Sequence, residues 1–290
     1  MMTEAICRLR KKWSNTKRKL QQLTHKDEMD KDTIIVSMTT WPPRFTSAVA
    51  AMSEIVEQRK AYNLADKVHC VLTLSEEEVS ATYSRQEACE LMREMERLGV
   101  EVIIDRGNIR SHKKLMPTLA KYPCNPILVV DDDSRQREEW LNTFIIDHNK
   151  HPEDIIFGQS SSRIIIRNGK IHEERTSLPC SKRGEVSVGM KPANGAAGTL
   201  YPANTFNDDR FFDRKLMLSV SPSSDETWQY AFAMIGHSTF RCLSDCNFPY
   251  SNGARQDVAL WNTNRNCYDK IHNDIAHAVP DYLEALERSL

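Results

Sequence analysis

Residues 127–134 read Ile-Leu-Val-Val-Asp-Asp-Asp-Ser, an apolar run that ends in three consecutive carboxylates. The apolar residues Ile127–Val130 predict a buried strand. Side chains alternate along a strand, so we expect Asp131 and Asp133 on one side and Asp132 on the other. Acidic groups at the carboxyl end of such a strand lie where open α/β sheets bind ligands.

Neighbouring carboxylates repel each other, and a cation between them relieves that cost. Mg²⁺ or Mn²⁺ is the expected cofactor, because hard cations prefer oxygen ligands and bridge carboxylates to substrate phosphates. Asp131 and Asp133 are therefore candidate metal ligands. The alternative is a polar loop whose acidic residues cap a following helix near Glu138–Phe144.

The composition is that of a globular chain. The 290 residues are 40% hydrophobic and 27% charged, and the formal net charge of −1 gives no reason to expect nucleic-acid binding. No apolar run approaches the roughly 20 residues that span a bilayer, and no apolar signal core is found near residue 1. The eight cysteines contain no Cys-x-x-Cys pair, which favours reduced thiols over zinc or disulfides. We therefore expect a cytoplasmic protein.

Residues 1–30 are predicted to be a basic N-terminal extension. Among the first 20 residues, Glu4 is the single acidic residue against seven basic ones, with apolar residues interleaved. The basic residues are Arg8, Arg10, Lys11, Lys12, Lys17, Arg18 and Lys19. The pattern predicts a basic amphipathic helix whose residues 1–20 make a peripheral contact with the inner face of a membrane. A solvated helical or disordered extension is the alternative.

Strand and helix signals alternate between residues 31 and 135. The predicted strands are Thr33–Met38, Val68–Leu74, Val100–Ile104 and Ile127–Val130, and the predicted helices are Ala48–Arg59, Ser84–Leu98 and a segment near Lys114–Lys121. This order predicts an α/β fold with a mostly parallel sheet covered on both faces. The carboxylate run then follows the fourth strand.

Residues 136–290 have a less regular pattern. The predicted strands are Ile155–Phe157, Arg163–Arg167, Lys170–His172 and Thr199–Pro202. The predicted helices are Ser223–Ile235 and Pro280–Leu290, and residues 176–192 are predicted to be a mobile loop. Asn168-Gly169 is a hairpin-turn signal. Periodicity is weak after about residue 245.

Polar residues also follow other strands at the expected ligand edge. Thr39, Thr40 and Arg44 follow the first strand, Asp105 follows the third, and Lys113 and Lys114 open the next helix. Hydroxyls and cations there can hold a nucleotide base or its phosphates. The alternatives are a rigid turn at Pro42-Pro43 and exposed lysines.

Two further segments are candidates for the reaction centre. Asp225 and Glu226 follow a Ser-Ser pair at the start of a predicted helix, where a carboxylate in the cleft can take a proton from an attacking hydroxyl. Acidic residues in a first helical turn also simply suit the helix dipole. The small residues 194–198 would let backbone approach a sugar closely.

Six of these segments, in this order, resemble a group of bacterial glycosyltransferases of the GT-A fold, close to family 2, of the type that builds surface polysaccharide, lipopolysaccharide or capsule. The segments are 37–44, 111–115, 131–133, 195–202, 225–228 and 273–275. The resemblance covers roughly residues 33–280. It implies a GT-A-like catalytic domain over 31–290, with a nucleotide-binding half at about 31–135 and a smaller, irregular acceptor-side half at 136–290.

The resemblance also implies a reaction and the residues that carry it. A sugar would move from a nucleotide-sugar donor to a glycan or lipid-linked acceptor, with Mn²⁺ or Mg²⁺ on Asp131 and Asp133 stabilising the leaving diphosphate. Asp225 matches the catalytic base, with Glu226 as the alternative, and such a base implies inversion. Donor contacts would come from Thr39, Thr40, Arg44, Asp105, Lys113, Lys114, Asp131 and Asp132, and acceptor-side contacts from Gly195, Ala196, Ala197 and Trp228. His237 and His272 are candidates for a third metal ligand.

Other functions compete with glycosyl transfer. A phosphatase of the haloacid dehalogenase type also places Asp-x-Asp after an apolar strand and would use Asp131 as nucleophile beside Asp133. A nucleotidyltransferase also holds its metal ion with two carboxylates, although no Gly-rich phosphate loop lies near the first strand. A partner-binding module that kept the fold is the non-enzymatic alternative. No feature of the sequence defines the oligomeric state.

Overall fold

The computed structural model describes residues 29–81, 85–175, 183–193, 195–244, 250–251 and 266–290. The predicted basic extension up to residue 28, and residues 176–182 of the predicted loop, lie outside the described residues. The chain divides into the units Met1–Lys31 and Asp32–Leu290, and everything below concerns the second. No helix in the described ranges has the length and apolar character needed to cross a membrane.

The strands are β1 Ile34–Thr39, β2 Val68–Ser75, β3 Glu101–Asp105, β4 Ile127–Val130, β5 Ser134–Arg135, β6 Ile155–Phe157, β7 Ser160–Arg167, β8 Lys170–Arg175, β9 Met190–Pro192, β10 Thr199–Tyr201, β11 Phe240–Cys242 and β12 Tyr250–Ser251. In the described part of the chain, seven of them form a central sheet in the order β11-β6-β10-β4-β1-β2-β3. β10 runs antiparallel to its neighbours, and the other pairs are parallel. The predicted α/β class with a mostly parallel sheet and flanking helices, as the GT-A resemblance implies, is confirmed.

The helices are α1 Phe45–Ala61, α2 Glu76–Ser80, α3 Arg85–Leu98, α4 Met116–Lys121, α5 Trp140–Lys150, α6 Arg214–Val220, α7 Asp225–Ile235, α8 Tyr268–Ala278 and α9 Asp281–Ser289. Short 3₁₀ helices occupy Pro42–Arg44, Arg110–Lys114 and Asp209–Phe212. The helices pack in two groups, because α1 contacts α3 and α5 whereas α7 contacts α8 and α9.

Burial explains why β4 sits at the centre of the sheet. All four residues of Ile127–Val130 are buried, and Ile35 to Met38 of β1 pair with them in parallel register. A strand that is apolar on both faces suits a sheet covered on both faces. Since β1 and β4 are parallel, their carboxyl ends open onto one edge, where β1 is followed by Thr40 and β4 by Asp131.

The structure corrects several predicted boundaries. The helix near Lys114–Lys121 begins at Met116 because a 3₁₀ turn precedes it, and the helix after the carboxylates runs Trp140–Lys150 rather than Glu138–Phe144. The predicted loop 176–192 includes a strand, β9, which pairs with β7. Helix α8 has no predicted counterpart.

A three-stranded antiparallel sheet in the order β8-β7-β9 lies beyond the central one. The predicted turn joins β7 to β8, because Asn168 and Gly169 have φ of 52° and 70°, as a two-residue hairpin turn of this kind requires. Asn273 of α8 fixes the start of β8, since its side chain bonds both the N–H and the C=O of Ile171. This small sheet therefore carries β8 and β9 residues in a fixed relation to α8.

Candidate active site

A cavity of about 620 Å³ opens at the carboxyl edge of β1 and β4. Most of the predicted site residues line it, namely Thr39, Thr40, Arg44, Lys113, Lys114, Asp131, Asp132, Asp133, Gly195, Ala196, Asp225 and Glu226. Side chains that the sequence did not single out line it as well, among them Trp41, Glu78, Gln159, Glu173, Arg175, Lys191 and Tyr268. The volume is within the range of pockets that hold a small-molecule ligand.

The three aspartates have different partners. Oδ1 of Asp131 accepts a hydrogen bond of 2.5 Å from Nζ of Lys114. Asp132 accepts one of 2.6 Å from the Thr40 hydroxyl, and one guanidinium nitrogen of Arg44 lies 3.1 Å from Asp132 and 2.8 Å from Asp133. The expected alternation therefore fails after Val130, because the strand ends there and the turn lets Asp132 and Asp133 share one cation.

Burial is the largest influence on the pKa values of Asp131 and Asp132. It raises the pKa of Asp132 to about 6, against the Thr40 hydrogen bond and the charge of Arg44. Burial also raises the pKa of Asp131, with Lys114 opposing the shift and the neighbouring charge of Asp133 adding to it. Closely spaced, partly buried carboxylates gain from a bound cation, which favours their charged forms.

Lys114 is placed by the strand beside it. The hydroxyl of Ser37, in β1, donates to the Lys114 carbonyl at 2.5 Å and shares a 2.7 Å hydrogen bond with the Thr118 hydroxyl. This anchors the end of the 3₁₀ turn, so the ammonium reaches between Asp131 and Asp225, whose Oδ2 is 3.4 Å away. Burial alone would lower the pKa of Lys114, but the two carboxylates raise it above its usual range. Lys114 therefore stays charged.

Asp225 begins helix α7 and faces this cavity. Burial alone would raise its pKa, but the charges of Lys114 and His112 hold the pKa below its usual value. Its buried Oδ2 makes no well-directed hydrogen bond with any described residue. The loop before α7 is fixed by His112, whose Nε2 lies 2.8 Å from the Ser221 carbonyl oxygen. The result is an ionised carboxylate in the cavity lining, paired with Lys114.

Glu226, the second residue of α7, also lines the cavity and belongs to a second charged group. Nζ of Lys191 is 3.0 Å from Oε1 of Glu226 and 3.4 Å from Oε1 of Glu173. Nζ also lies 4.6 Å from the ring centre of Tyr268. Sequence reasoning missed these three partners because each comes from a different short element, and a lone Lys, Glu or Tyr gives no local signal.

Donor-side residues Thr39, Lys113 and Asp105 are already engaged by protein groups. The Thr39 hydroxyl donates to the Thr73 carbonyl at 2.8 Å, and Lys113 pairs with Glu78, a residue of the capping box at the start of α2. Asp105 is not part of the cavity lining; it pairs with Arg214 at 2.7 Å. Its expected contact with a nucleotide stays a prediction.

Trp228 and Ala197 were predicted on the acceptor side, but the structure places both in the core. The Trp228 indole is fully buried, donates to the Phe211 carbonyl at 3.1 Å and packs against Phe232. The carbonyl of Ala197 accepts a hydrogen bond from the Trp140 indole. An apolar side chain on the inner face of a helix is held by core packing, which the motif alone did not distinguish from acceptor contact.

The two histidines are not brought to the aspartates. His237 is exposed just after the end of α7, and the 11 residues of that helix separate it from Asp225 by roughly 16 Å. His272 is buried and bonds Glu173 and Tyr282 instead. Neither histidine therefore joins Asp131 and Asp133 in this arrangement.

The residues fit one kind of metal site. Within the described ranges, no three His, Cys, Asp or Glu side chains are arranged to hold an ion by themselves. Asp131 and Asp133 nevertheless supply carboxylate oxygens to one cavity. Mg²⁺ is often bound by one or two carboxylates, with substrate phosphates and water as its other ligands. The site thus suits an ion shared with a bound diphosphate and does not suit a closed, protein-only centre.

No protein-family model and no curated protein matches this chain. Similar solved structures include TarS 1-349 of S. aureus, with 14% identity and a TM-score of 0.43 over 76% of this chain and 60% of that one. A second TarS structure has 14% identity and a TM-score of 0.47, over 84% of this chain and 40% of that one. A UTP-bound UGPase from Acinetobacter baumannii has 11% identity and a TM-score of 0.38, over 88% and 92%. This chain therefore spans less than two thirds of either TarS chain, and likenesses at these TM-scores assign no activity.

Proposed function

We propose that this protein is a glycosyltransferase that moves a sugar from a nucleotide-sugar donor to a hydroxyl of a glycan or lipid-linked acceptor. One observation carries the proposal. Asp131 and Asp133, which suit a diphosphate-bound cation, share one cavity with Asp225, a carboxylate whose pKa the charge of Lys114 holds below its usual value. Lys114 lies between the expected metal ligands and the expected base, in contact with both Asp131 and Asp225.

The arrangement suits a single displacement with inversion. Asp225 takes the proton of the acceptor hydroxyl while that oxygen forms a bond to the anomeric carbon. The bond from that carbon to the diphosphate oxygen breaks, and its electron pair leaves with the nucleoside diphosphate. A base must begin ionised, and the lowered pKa of Asp225 meets that requirement at neutral pH.

Developing charge on the leaving group needs a cation. When bound by Asp131 and Asp133, Mn²⁺ or Mg²⁺ would act as a Lewis acid on the diphosphate. Arg44, which is in contact with Asp133, lies close enough to the same place to pair with a phosphate oxygen. Thr40 holds Asp132 and so fixes the turn that presents Asp133. No observation among the described residues favours the phosphatase or the partner-binding alternative over transfer.

The first test is a thermal-shift screen of the full chain. UDP, GDP, CMP and dTDP compounds are each added with Mn²⁺, Mg²⁺ or EDTA, since a ligand that binds only the folded state raises the melting temperature. We expect one nucleoside diphosphate to stabilise strongly, and only with metal. Release of that diphosphate from its sugar nucleotide, measured with and without a glycan acceptor, then tests transfer.

The screen has a clear contrary outcome. Stabilisation by no nucleotide, with or without metal, would contradict the proposal and favour the phosphatase or partner-binding alternative. Glu94→Gln, on α3 and outside the cavity lining, is a control that should behave as the unaltered chain. Co-sedimentation with anionic liposomes separately tests the proposed membrane contact of residues 1–20.

A further inference from the structure

Lys191 is a buried cation in the wall of the cavity. It contacts Glu226 at 3.0 Å and Glu173 at 3.4 Å, and the Tyr268 ring centre at 4.6 Å. An ammonium has three N–H groups, and a cation close to an aromatic face interacts with it favourably. These three contacts occupy the donors of Lys191 within the protein, so Lys191 is poorly placed to bind a substrate itself.

The group behind Lys191 is held rigidly. Oε2 of Glu173 lies 3.0 Å from Nε2 of His272, and Nδ1 of His272 lies 2.7 Å from the Tyr282 hydroxyl. Burial alone would raise the pKa of Glu173, but Lys191 and His272 hold the pKa at about 2. An ionised Glu173 accepts from Nε2 of His272. Burial lowers the pKa of His272, so its neutral Nδ1 accepts from Tyr282 in turn.

The hydrogen-bonded and ion-paired series Glu226–Lys191–Glu173–His272–Tyr282 links α7, β9, β8, α8 and α9. Four of these five side chains are buried, and the side chain of Glu226, which is 24% exposed, opens onto the cavity. A buried ion pair is costly to form, and a fully satisfied buried polar network fixes geometry. What this network presents to the cavity is one carboxylate in one position.

We infer that Lys191 is a positioning residue that directs the Glu226 carboxylate toward the acceptor, where Glu226 binds a hydroxyl of an uncharged carbohydrate. A carboxylate accepts hydrogen bonds and donates none, so it selects O–H donors. The negative charge of the Glu226 carboxylate disfavours a phosphate or carboxylate in direct contact with it. The inference rests on the proposed function and assigns Glu226 to acceptor binding, while Asp225 remains the base.

The test uses a matched pair of full-length variants, E173Q and E173Q/K191M. Replacing Lys191 alone would leave Glu173 buried without its cation, which can prevent folding. The pair avoids this, because both members lack the Glu173 charge and differ only at Lys191. Crystal structures of both are the first readout. We expect Glu226 to stay within hydrogen-bond distance of Lys191 in E173Q and to leave that position in E173Q/K191M.

Kinetics on the same pair is the second readout. The donor is the nucleotide sugar chosen by the thermal-shift screen, and the acceptors are neutral methyl glycosides compared with a methyl glucuronide. The acceptor KM should rise about tenfold or more in E173Q/K191M relative to E173Q, with the donor KM unchanged, as for a lost hydrogen bond to a charged group. E173Q/K191R keeps the positive charge and should recover most of the acceptor affinity that E173Q/K191M loses. If Lys191 had a purely structural role, a charged residue of different shape would not recover this affinity.

Contrary results are distinct for the inference and for the proposed function. Glu226 unmoved in E173Q/K191M, or an equal rise of both KM values, would overturn the positioning role of Lys191. Preference for the glucuronide would overturn the uncharged acceptor. Absence of nucleotide binding in the screen would instead remove the proposed transferase, while the crystal structures would still decide whether Lys191 positions Glu226.

Discussion

A Cβ atom on Gly195 would lie 1.9 Å from Oδ1 of Asp131, far inside any non-bonded contact. The backbone of Gly195 also holds this aspartate, because its carbonyl accepts the Asp131 N–H at 3.0 Å. The sequence predicted that a small residue here would let backbone approach a sugar. In the structure the close approach is to Asp131, so the missing side chain makes room for the carboxylate that contacts Lys114.

Gly195→Ala should therefore displace the Asp131 carboxylate and leave the fold intact. The added methyl meets the end of one side chain, and Gly195 does not have a positive φ that would strain an alanine. We expect a stability loss of about 1–3 kcal/mol, typical of a local overpacking, and a fall in transfer of roughly 10²-fold, as for a reacting group misplaced by about 1 Å.

The metal-dependent shift in melting temperature on adding the nucleoside diphosphate measures the effect on Asp131. Gly236→Ala is the matched control, because its nearest neighbour atom is 3.3 Å away and Gly236 is not part of the cavity lining. An unchanged metal-dependent shift in Gly195→Ala would show that the position of Asp131 does not matter for donor binding.

Asp225→Asn should separate binding from chemistry. The amide keeps the size of the side chain and removes the charge that would accept a proton, while Lys114 keeps its contact with Asp131. Donor binding in the thermal-shift assay should persist, and transfer should fall about 10²–10⁴-fold, the usual contribution of a general base. If Asp225→Asn retains its rate, Glu226 becomes the base, and Glu226→Gln would then lose turnover in the same assay.

Asp133→Ala tests the metal directly. Asp133 is one of the two carboxylates expected to hold the ion, and the Arg44 that pairs with it keeps a second partner in Asp132. The unliganded protein should therefore keep its fold, because Asp132 still compensates the buried charge of Arg44. Stabilisation by nucleotide plus Mn²⁺ should nearly vanish. Nucleotide stabilisation that survives both this change and EDTA would contradict metal-dependent binding.

The features that the sequence predicted correctly are those that depend on short, contiguous segments of the chain. Strands β1 to β4 have continuous apolar runs, and the polar residues that follow β1 and β4 necessarily share one edge of a parallel sheet. For that reason the sequence alone predicts Thr40, Arg44 and the three aspartates as site residues. The hydrogen-bond and ion-pair partners of each aspartate could not be predicted, because they depend on the turn after Val130, whose geometry leaves no periodic pattern in the sequence.

The charged group around Glu226 could not be predicted because its residues come together only in three dimensions. Glu173, Lys191 and Tyr268 come from two short strands and a helix, and each is a single polar residue without a pattern around it. The same limit applies to Trp228, which was predicted on the acceptor side and is buried in the core. A tryptophan beside catalytic-looking carboxylates has the same sequence whether it faces a cavity or, as here, packs against Phe211 and Phe232.

The pH dependence of stability should report the ionised state of Glu173. Its pKa is held at about 2 in the folded protein against an ordinary value of 4.5. The unfolded chain therefore binds the proton more readily, and the stabilisation, roughly 3 kcal/mol, is fully present above pH 4.5 and is lost as pH falls toward 2. Glu173→Gln removes this contribution, so the difference in free energy of unfolding between this variant and the unaltered chain should be widest near neutral pH and shrink below about pH 4.5.

Urea denaturation at several pH values measures this stability gap. Glu174→Gln is the control, because Glu174 is the neighbouring residue and its side chain is half-exposed. A gap that stays constant as the pH falls would mean that Glu173 is not ionised by Lys191 and His272.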